Sequence, residues 1–143
     1  MSAAMIEFEV LGAAPDDDAR AALERLATVG PVILLVGEKG TTGADAYAAA
    51  GNVDLKVTSW SGAGGGRNLD RAAVAQLQEI RAAHDAGWLI AAETTLATAR
   101  ACPGLRVICI GPAADHQDPT RPDHRAHSLL DAARFIETSE TFA

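Results

Sequence analysis

The sequence has few aromatic residues, few basic residues and almost no cysteine. Only 4% of its 143 residues are aromatic, and 12 basic residues face 19 acidic ones, giving a net charge of −7. Contacts to nucleic-acid phosphates need clustered Lys and Arg, so this balance disfavours nonspecific binding of nucleic acids. The two cysteines, Cys102 and Cys109, form no C-x-x-C motif and no disulfide framework. This usage indicates a reducing, cytoplasmic environment.

Long apolar segments are also missing. No run approaches the roughly 18 apolar residues that cross a bilayer, which predicts no membrane partner. The first residues lack the basic and apolar regions of a secretory signal peptide. Hydrophobic residues make up 48% of the chain and charged residues 22%, as in a globular protein. The length fits one domain over residues 1–143.

Short apolar runs alternate with Ala-rich amphipathic segments. Residues 5–10 (M-I-E-F-E-V) alternate apolar and acidic side chains, whereas residues 32–36 (V-I-L-L-V) form a continuous β-branched and aliphatic run. The first pattern is typical of a half-exposed strand and the second of a strand buried on both faces. Further strands are predicted at 55–58, 88–91 and 107–110, and helices at 15–30, 42–50, 69–86, 93–101 and 126–136. This alternation predicts an α/β three-layer sandwich with a mainly parallel sheet of about five strands and helices on both faces.

The acids of the first strand bear on its place in the sheet. Glu7 and Glu9 favour an edge position, because a central parallel strand rarely carries acids of this exposed type. An edge strand with Ile6, Phe8 and Val10 on one face could pair with another chain. A homodimer through this strand is therefore a further hypothesis.

Two loops that follow strands are candidate anion sites, because ligands of such sheets bind where the strands end. Residues 61–68 (S-G-A-G-G-G-R-N) match neither the dinucleotide fingerprint, because Arg67 stands where a small residue is needed, nor the Walker motif. They form either a flexible surface loop or an anion contact through Arg67. In the loop at 37–42, Thr41 or Thr42 either caps the next helix or contacts a ligand through its hydroxyl.

Two polar clusters are candidate metal sites. The three aspartates at 16–18 could bind Mg²⁺, but their position in the first turn of a helix already explains them. Near the last helix stand His116, Asp118, His124 and His127. Residues of these types at such density either bind Zn²⁺ or a similar ion, or form an exposed acidic loop. His124 and His127 would share one face of a helix that begins early.

Three stretches of the chain, at 13–36, at 53–77 and at 87–111, resemble the haloacid dehalogenase-like (HAD) superfamily of phosphohydrolases. The first resembles the helix that precedes the second core strand of the family. The second is similar to the stretch leading into its Lys-Pro-x-Pro segment, and the third (beginning G-W-L-I-A-A-E-T-T) looks like its Gly-Asp-Ser strand, loop and helix. The resemblance covers most of the chain and implies a HAD-like fold and, if the chain is an enzyme, Mg²⁺.

The chain departs from the family at the catalytic motif. The family carries Asp-x-Asp-Gly-Thr after its first strand, where the aspartates supply the nucleophile and the acid/base. Counting from a strand at 5–10, Leu11 and Ala13 stand at the two aspartate positions. The resemblance matches Arg67 to the family's lysine and Glu93, beside Thr94, to its metal-binding aspartate. An aliphatic side chain cannot replace a carboxylate nucleophile, so the motif does not account for hydrolysis.

The first functional hypothesis is therefore a catalytically degenerate HAD-like domain that binds a protein partner or a small anion. Its candidate anion-binding residues are Thr41, Thr42, Arg67 and Thr94. An unrelated flavodoxin-like or receiver-like module that binds a nucleotide or flavin at the glycine loop is another hypothesis, as is metal binding by the His/Asp loop.

The alternative is a Mg²⁺-dependent phosphohydrolase with an atypical active site. In that enzyme, Asp16 or Asp18 supplies the missing acid, aided by Arg67 and Glu93. The two hypotheses differ in whether the chain turns over a phosphate ester.

Overall fold

The computed structural model of the protein describes residues 3–7, 10, 16–36, 55–59, 71–92, 95–111 and 121–141. Strands and helices alternate along these ranges. In chain order they are β1 (Ala3–Glu7), α1 (Asp17–Val29), β2 (Val32–Val36), β3 (Leu55–Ser59), α2 (Arg71–His84), β4 (Ala86–Ala91), α3 (Leu96–Arg100), β5 (Arg106–Ile110), β6 (His124–Ala126) and α4 (Leu129–Thr141). No helix in these ranges is both long and apolar enough to cross a membrane.

The strands form one parallel sheet in the order β3-β2-β1-β4-β5-β6. β1 lies inside the sheet, where Ile6 is in register with Leu34 of β2 on one side and with Ile90 of β4 on the other. The chain runs outward from β1 to β3, returns to the centre, and then runs outward from β4 to β6. The strand order thus reverses between β1 and β4, and parallel sheets bind ligands beyond the carboxyl ends of strands at such a point.

Each face of the sheet has its own apolar core. Because successive strand residues point to opposite faces, neighbours in β1 contribute to different cores. Ile6, Leu34 and Ile90 pack with residues of α1 and α4, whereas Met5, Ile33 and Leu89 pack with residues of α2 and α3. The predicted α/β class, with a parallel sheet and helices on both faces, is confirmed.

Helix α1 begins where the aspartates at 16–18 predict. Asp16 is its N-cap, and the Oδ1 atom accepts a hydrogen bond of 2.8 Å from the backbone N–H of Ala19. Asp17 and Asp18 lie in the first turn, and Asp17 pairs with Arg20 one turn later. Acids at these positions offset the positive end of the helix dipole, so local structure accounts for all three.

The first strand departs from its prediction in both extent and position. The described strand spans Ala3–Glu7, so it begins two residues before the predicted one, and all five residues are buried inside the sheet. Residues 8–9 of the predicted strand lie outside the described residues. The predicted edge position is therefore wrong. The argument for a homodimer through this strand required an edge strand, so it no longer holds. The strand accommodates an acid at its end because protein donors bind the carboxylate of Glu7, as described below.

The C-terminal part contains a strand that the sequence does not predict. Residues His124–Ala126 form β6, which pairs with β5 in parallel and follows the predicted loop at 111–123. The last helix begins at Leu129 and not at residue 126. His124 thus lies in a strand and His127 before a helix, so the prediction that they share a helix face is wrong.

Side-chain hydrogen bonds mark the start of α4. The Ser128 Oγ atom accepts a hydrogen bond of 3.1 Å from the N–H of Asp131. The Asp131 carboxylate accepts one of 3.0 Å from the N–H of His127, which precedes Ser128. The first bond satisfies an N–H group of the first helical turn that has no partner within the helix, which favours a helix start at this point.

The remaining predicted elements agree with the structure to within a few residues. The predicted helices at 69–86 and 93–101 correspond to α2 and α3, and the predicted strands at 55–58, 88–91 and 107–110 correspond to β3, β4 and β5. The predicted helix at 42–50 and the glycine loop at 61–68 lie outside the described residues.

Candidate functional site

The carboxyl ends of β1 and β4 adjoin at the reversal of strand order, and this is the candidate functional site. β1 ends at Glu7 and β4 ends at Ala91. Ala92 and Thr95 belong to the connection from β4 to α3. The ends of two central strands and one connecting segment therefore define the described part of this site.

The carboxylate of Glu7 links the two strand ends. One oxygen, Oε1, accepts a hydrogen bond of 2.9 Å from the backbone N–H of Ala92. The other, Oε2, accepts a hydrogen bond of 2.9 Å from the hydroxyl of Thr95. Glu7 is only 3% exposed, and a charge taken out of water is tolerated only when donors such as these compensate it.

Thr95 directs its hydroxyl toward Glu7 and not toward its own helix. It occupies the N-cap position of α3 but makes no side-chain capping bond there. Its backbone N–H donates to the carbonyl of Ala92 at 3.0 Å, which closes a tight turn. The connection is thus held twice, by its own turn and by the carboxylate of a strand that lies beside it.

This arrangement limits what Glu7 can do chemically. A nucleophile or general base needs an available lone pair that faces its substrate. In Glu7 each carboxylate oxygen already accepts a hydrogen bond from the connection, and the side chain is buried. In the described residues, Glu7 thus holds the ends of β1 and β4 together.

The described residues contain no group of three side chains that could hold Mg²⁺. Magnesium needs oxygen ligands in octahedral geometry and usually keeps several waters. The Glu7 oxygens are engaged by protein donors, and no three His, Cys, Asp or Glu side chains are grouped to hold a metal in the described ranges. Glu9 and Glu93, which follow β1 and β4 in the sequence, lie outside these ranges.

Asp16 and Asp18, the predicted catalytic acids, make contacts within the protein. Asp16 caps α1, and the Asp18 Oδ2 atom accepts a long hydrogen bond of 3.4 Å from the N–H of Leu130. The second contact joins the starts of α1 and α4. Both acids thus have a structural role, and their catalytic role stays a prediction.

The predicted anion-binding residues fall outside the described ranges. Thr41 and Thr42 follow β2 in the sequence, Arg67 follows β3, and Thr94 stands beside Glu93 after β4. Their assignment as anion contacts, and that of Glu93 as a catalytic residue, stay predictions.

The two described histidines of the predicted metal cluster stand at the start of β6 and just beyond its end. The His124 ring stacks on Phe135 with 3.8 Å between centroids. Among the described residues, neither histidine belongs to a group of three side chains that could hold a metal ion. His116 and Asp118 lie outside the described residues.

A shallow groove of about 390 Å³ lies at the opposite edge of the sheet, between the C-terminal ends of α1 and α4. It is lined by Thr28, Val29, Glu137, Glu140 and Thr141. Both of its carboxylates already have partners: Glu137 pairs with Arg25 at 3.1 Å, and Glu140 accepts from the indole N–H of Trp88 at 2.8 Å. The first contact joins α1 to α4 and the second joins α4 to β4, so each of these two carboxylates has a partner.

Sequence reasoning missed Glu7 and Thr95 as site residues. The position where β1 ends would have identified Glu7, because a strand that ends at Glu7 places this acid at the carboxyl edge of the sheet. The alignment that sets Leu11 and Ala13 against the family's aspartates counts from a strand at 5–10, whereas the described strand ends at Glu7, and the alignment itself stays a prediction. With the observed strand end, Glu7 and Glu9 have the spacing of the Asp-x-Asp pair.

The fold is similar to that of HAD superfamily hydrolases. A subfamily III A hydrolase of this superfamily from Legionella pneumophila matches 99% of this chain and 84% of its own, with a TM-score of 0.63 and 12% identity. A haloacid dehalogenase-like family hydrolase from Streptococcus pneumoniae matches 95% of this chain and 98% of its own, with a TM-score of 0.56 and 12% identity. No protein-family model and no curated protein matches the chain. The chain therefore has the HAD-like α/β fold; identity this low establishes the fold and not the activity.

Proposed function

We propose that this chain is a HAD-like domain that binds a small anion at the carboxyl edge of its sheet and does not hydrolyse phosphate esters through a carboxylate nucleophile. The observation that carries the proposal is the state of Glu7. Its carboxylate ends the central strand, at the reversal of strand order, yet it is buried and engaged by Ala92 and Thr95.

The contacts of Glu7 argue against turnover through it. An oxygen of Glu7 that had to leave its donor, the N–H of Ala92 or the hydroxyl of Thr95, in order to attack phosphorus would lose one hydrogen bond. A hydrogen bond to a charged group contributes about 1.5–3 kcal/mol. Since about 1.4 kcal/mol is a factor of ten, attack by that oxygen would be slowed about 10- to 100-fold.

The helix starts indicate where an anion would bind. The N-terminus of a helix carries partial positive charge and unpaired N–H groups. Helix α1 begins with Asp17 and Asp18 after Asp16, whereas α2 has no acid in its first turn and a single acid, Asp70, before it in the sequence. In the sequence, α2 follows the glycine loop and Arg67. The α2 side of the sheet edge is therefore the better place for an anion.

Thermal unfolding with inorganic phosphate tests the binding. At about 100 times the dissociation constant, a ligand adds roughly 2.7 kcal/mol to the free energy of unfolding. For a chain of this size that raises Tm by roughly 5–10 °C. Arg67→Ala should abolish this shift. Arg134→Ala, which removes the same charge from an exposed position on α4, should keep it. No shift with phosphate, at constant ionic strength, refutes anion binding and leaves a protein partner as the alternative.

An activity assay tests the absence of turnover. We expect no hydrolysis of phosphate monoesters in the presence of Mg²⁺ above that of a Glu7→Gln protein. Mg²⁺-dependent turnover that Glu7→Gln abolishes would contradict the proposal.

The second candidate is a Mg²⁺-dependent phosphohydrolase. It is favoured by the position of Glu7 at the end of β1, with Glu9 two residues later and Glu93 after β4. The same assay separates its versions. Loss of turnover in Asp16→Asn with Asp18→Asn would identify those acids, and loss only in Glu7→Gln would identify the strand-end acid.

A further inference from the structure

We draw no further inference here: the strongest candidate, the groove between the C-terminal ends of α1 and α4, carries none, because its two carboxylates already bind Arg25 and Trp88 and nothing in the described residues shows what ligand or partner would cover it.

Discussion

Asp123 offers the sharpest test of how the last strand is held in the sheet. Its Oδ2 atom accepts hydrogen bonds from the backbone N–H of Val107 and from Arg100, both at 2.7 Å. Its own N–H donates to the Val107 carbonyl at 2.8 Å. One aspartate thus joins α3, β5 and the residue just before β6. Removing its side chain leaves the buried N–H of Val107 without this acceptor.

The magnitudes of these contacts differ. An unsatisfied buried donor costs about 1–3 kcal/mol, and Val107 is fully buried. The ion pair contributes at most about 1 kcal/mol, because the Arg100 and Asp123 side chains are 42% and 33% exposed. We therefore expect Asp123→Ala to lower the free energy of unfolding by about 2–3 kcal/mol and Arg100→Ala by less than about 1 kcal/mol. Asp123→Asn should lie between them, because its amide oxygen still accepts from Val107.

Urea unfolding followed by circular dichroism measures all three variants. The double variant Asp123→Ala with Arg100→Ala completes a cycle whose coupling energy reports the ion pair alone. The reasoning is refuted if Arg100→Ala destabilises as much as Asp123→Ala, because the ion pair would then dominate. It is equally refuted if Asp123→Asn costs as much as Asp123→Ala.

Three further predictions follow from single residues. Asp16→Ala should lower the free energy of unfolding by about 1 kcal/mol, because it removes the cap of α1. In urea unfolding, Asp16→Asn should retain most of that stability, and equal losses in the two variants would contradict the capping role. Burial raises the pKa of the Cys102 thiol against a smaller lowering by Arg81, so iodoacetamide should label it only on unfolding. Because the folded state holds this proton more tightly, stability should decline as pH rises above the ordinary thiol range, and Cys102→Ala should flatten the decline. Gly104 and Gly111 have φ of +77° and +93°, so alanine should lower the free energy of unfolding by about 1 kcal/mol at either position. At Gly104 the new Cβ would lie 2.6 Å from the end of the flexible Arg81 side chain, which can move aside, so the two variants should lower Tm by similar amounts; an unchanged Tm in either would contradict the cost of the left-handed conformation.

The parts of the fold that local patterns determine were predictable. The run at 32–36 is β2 with the predicted bounds, because a continuous apolar segment between glycines has few other places in an α/β protein. The aspartates at 16–18 mark the start of α1 for an equally local reason, since a cap and a helix dipole act within one turn.

The parts that depend on distant contacts were not predictable. The alternation in residues 5–10 indicates a half-exposed strand, but the donors that allow Glu7 to be buried stand 85 and 88 residues further on. β6 has three residues, of which only Ala126 is apolar, so it offers no periodicity. It forms where β5 and the contacts of Asp123 place it. The candidate site was predicted only as a sheet edge, because its described residues meet through the same long-range contacts.

The central position of β1 has a consequence for the synthesis of the chain. A ribosome adds about 5–20 residues per second, and the partners of Glu7 in the next connection are 85 or more residues away. Strand β1 is therefore made roughly 4–17 s before its second neighbour in the sheet, β4. After β2 has been made and until β4 follows, the nascent chain has an apolar strand, β1, with one unpaired edge, and unpaired edges of this kind favour aggregation. A folding intermediate captured before residue 92 is made should therefore be the species that chaperones bind most strongly.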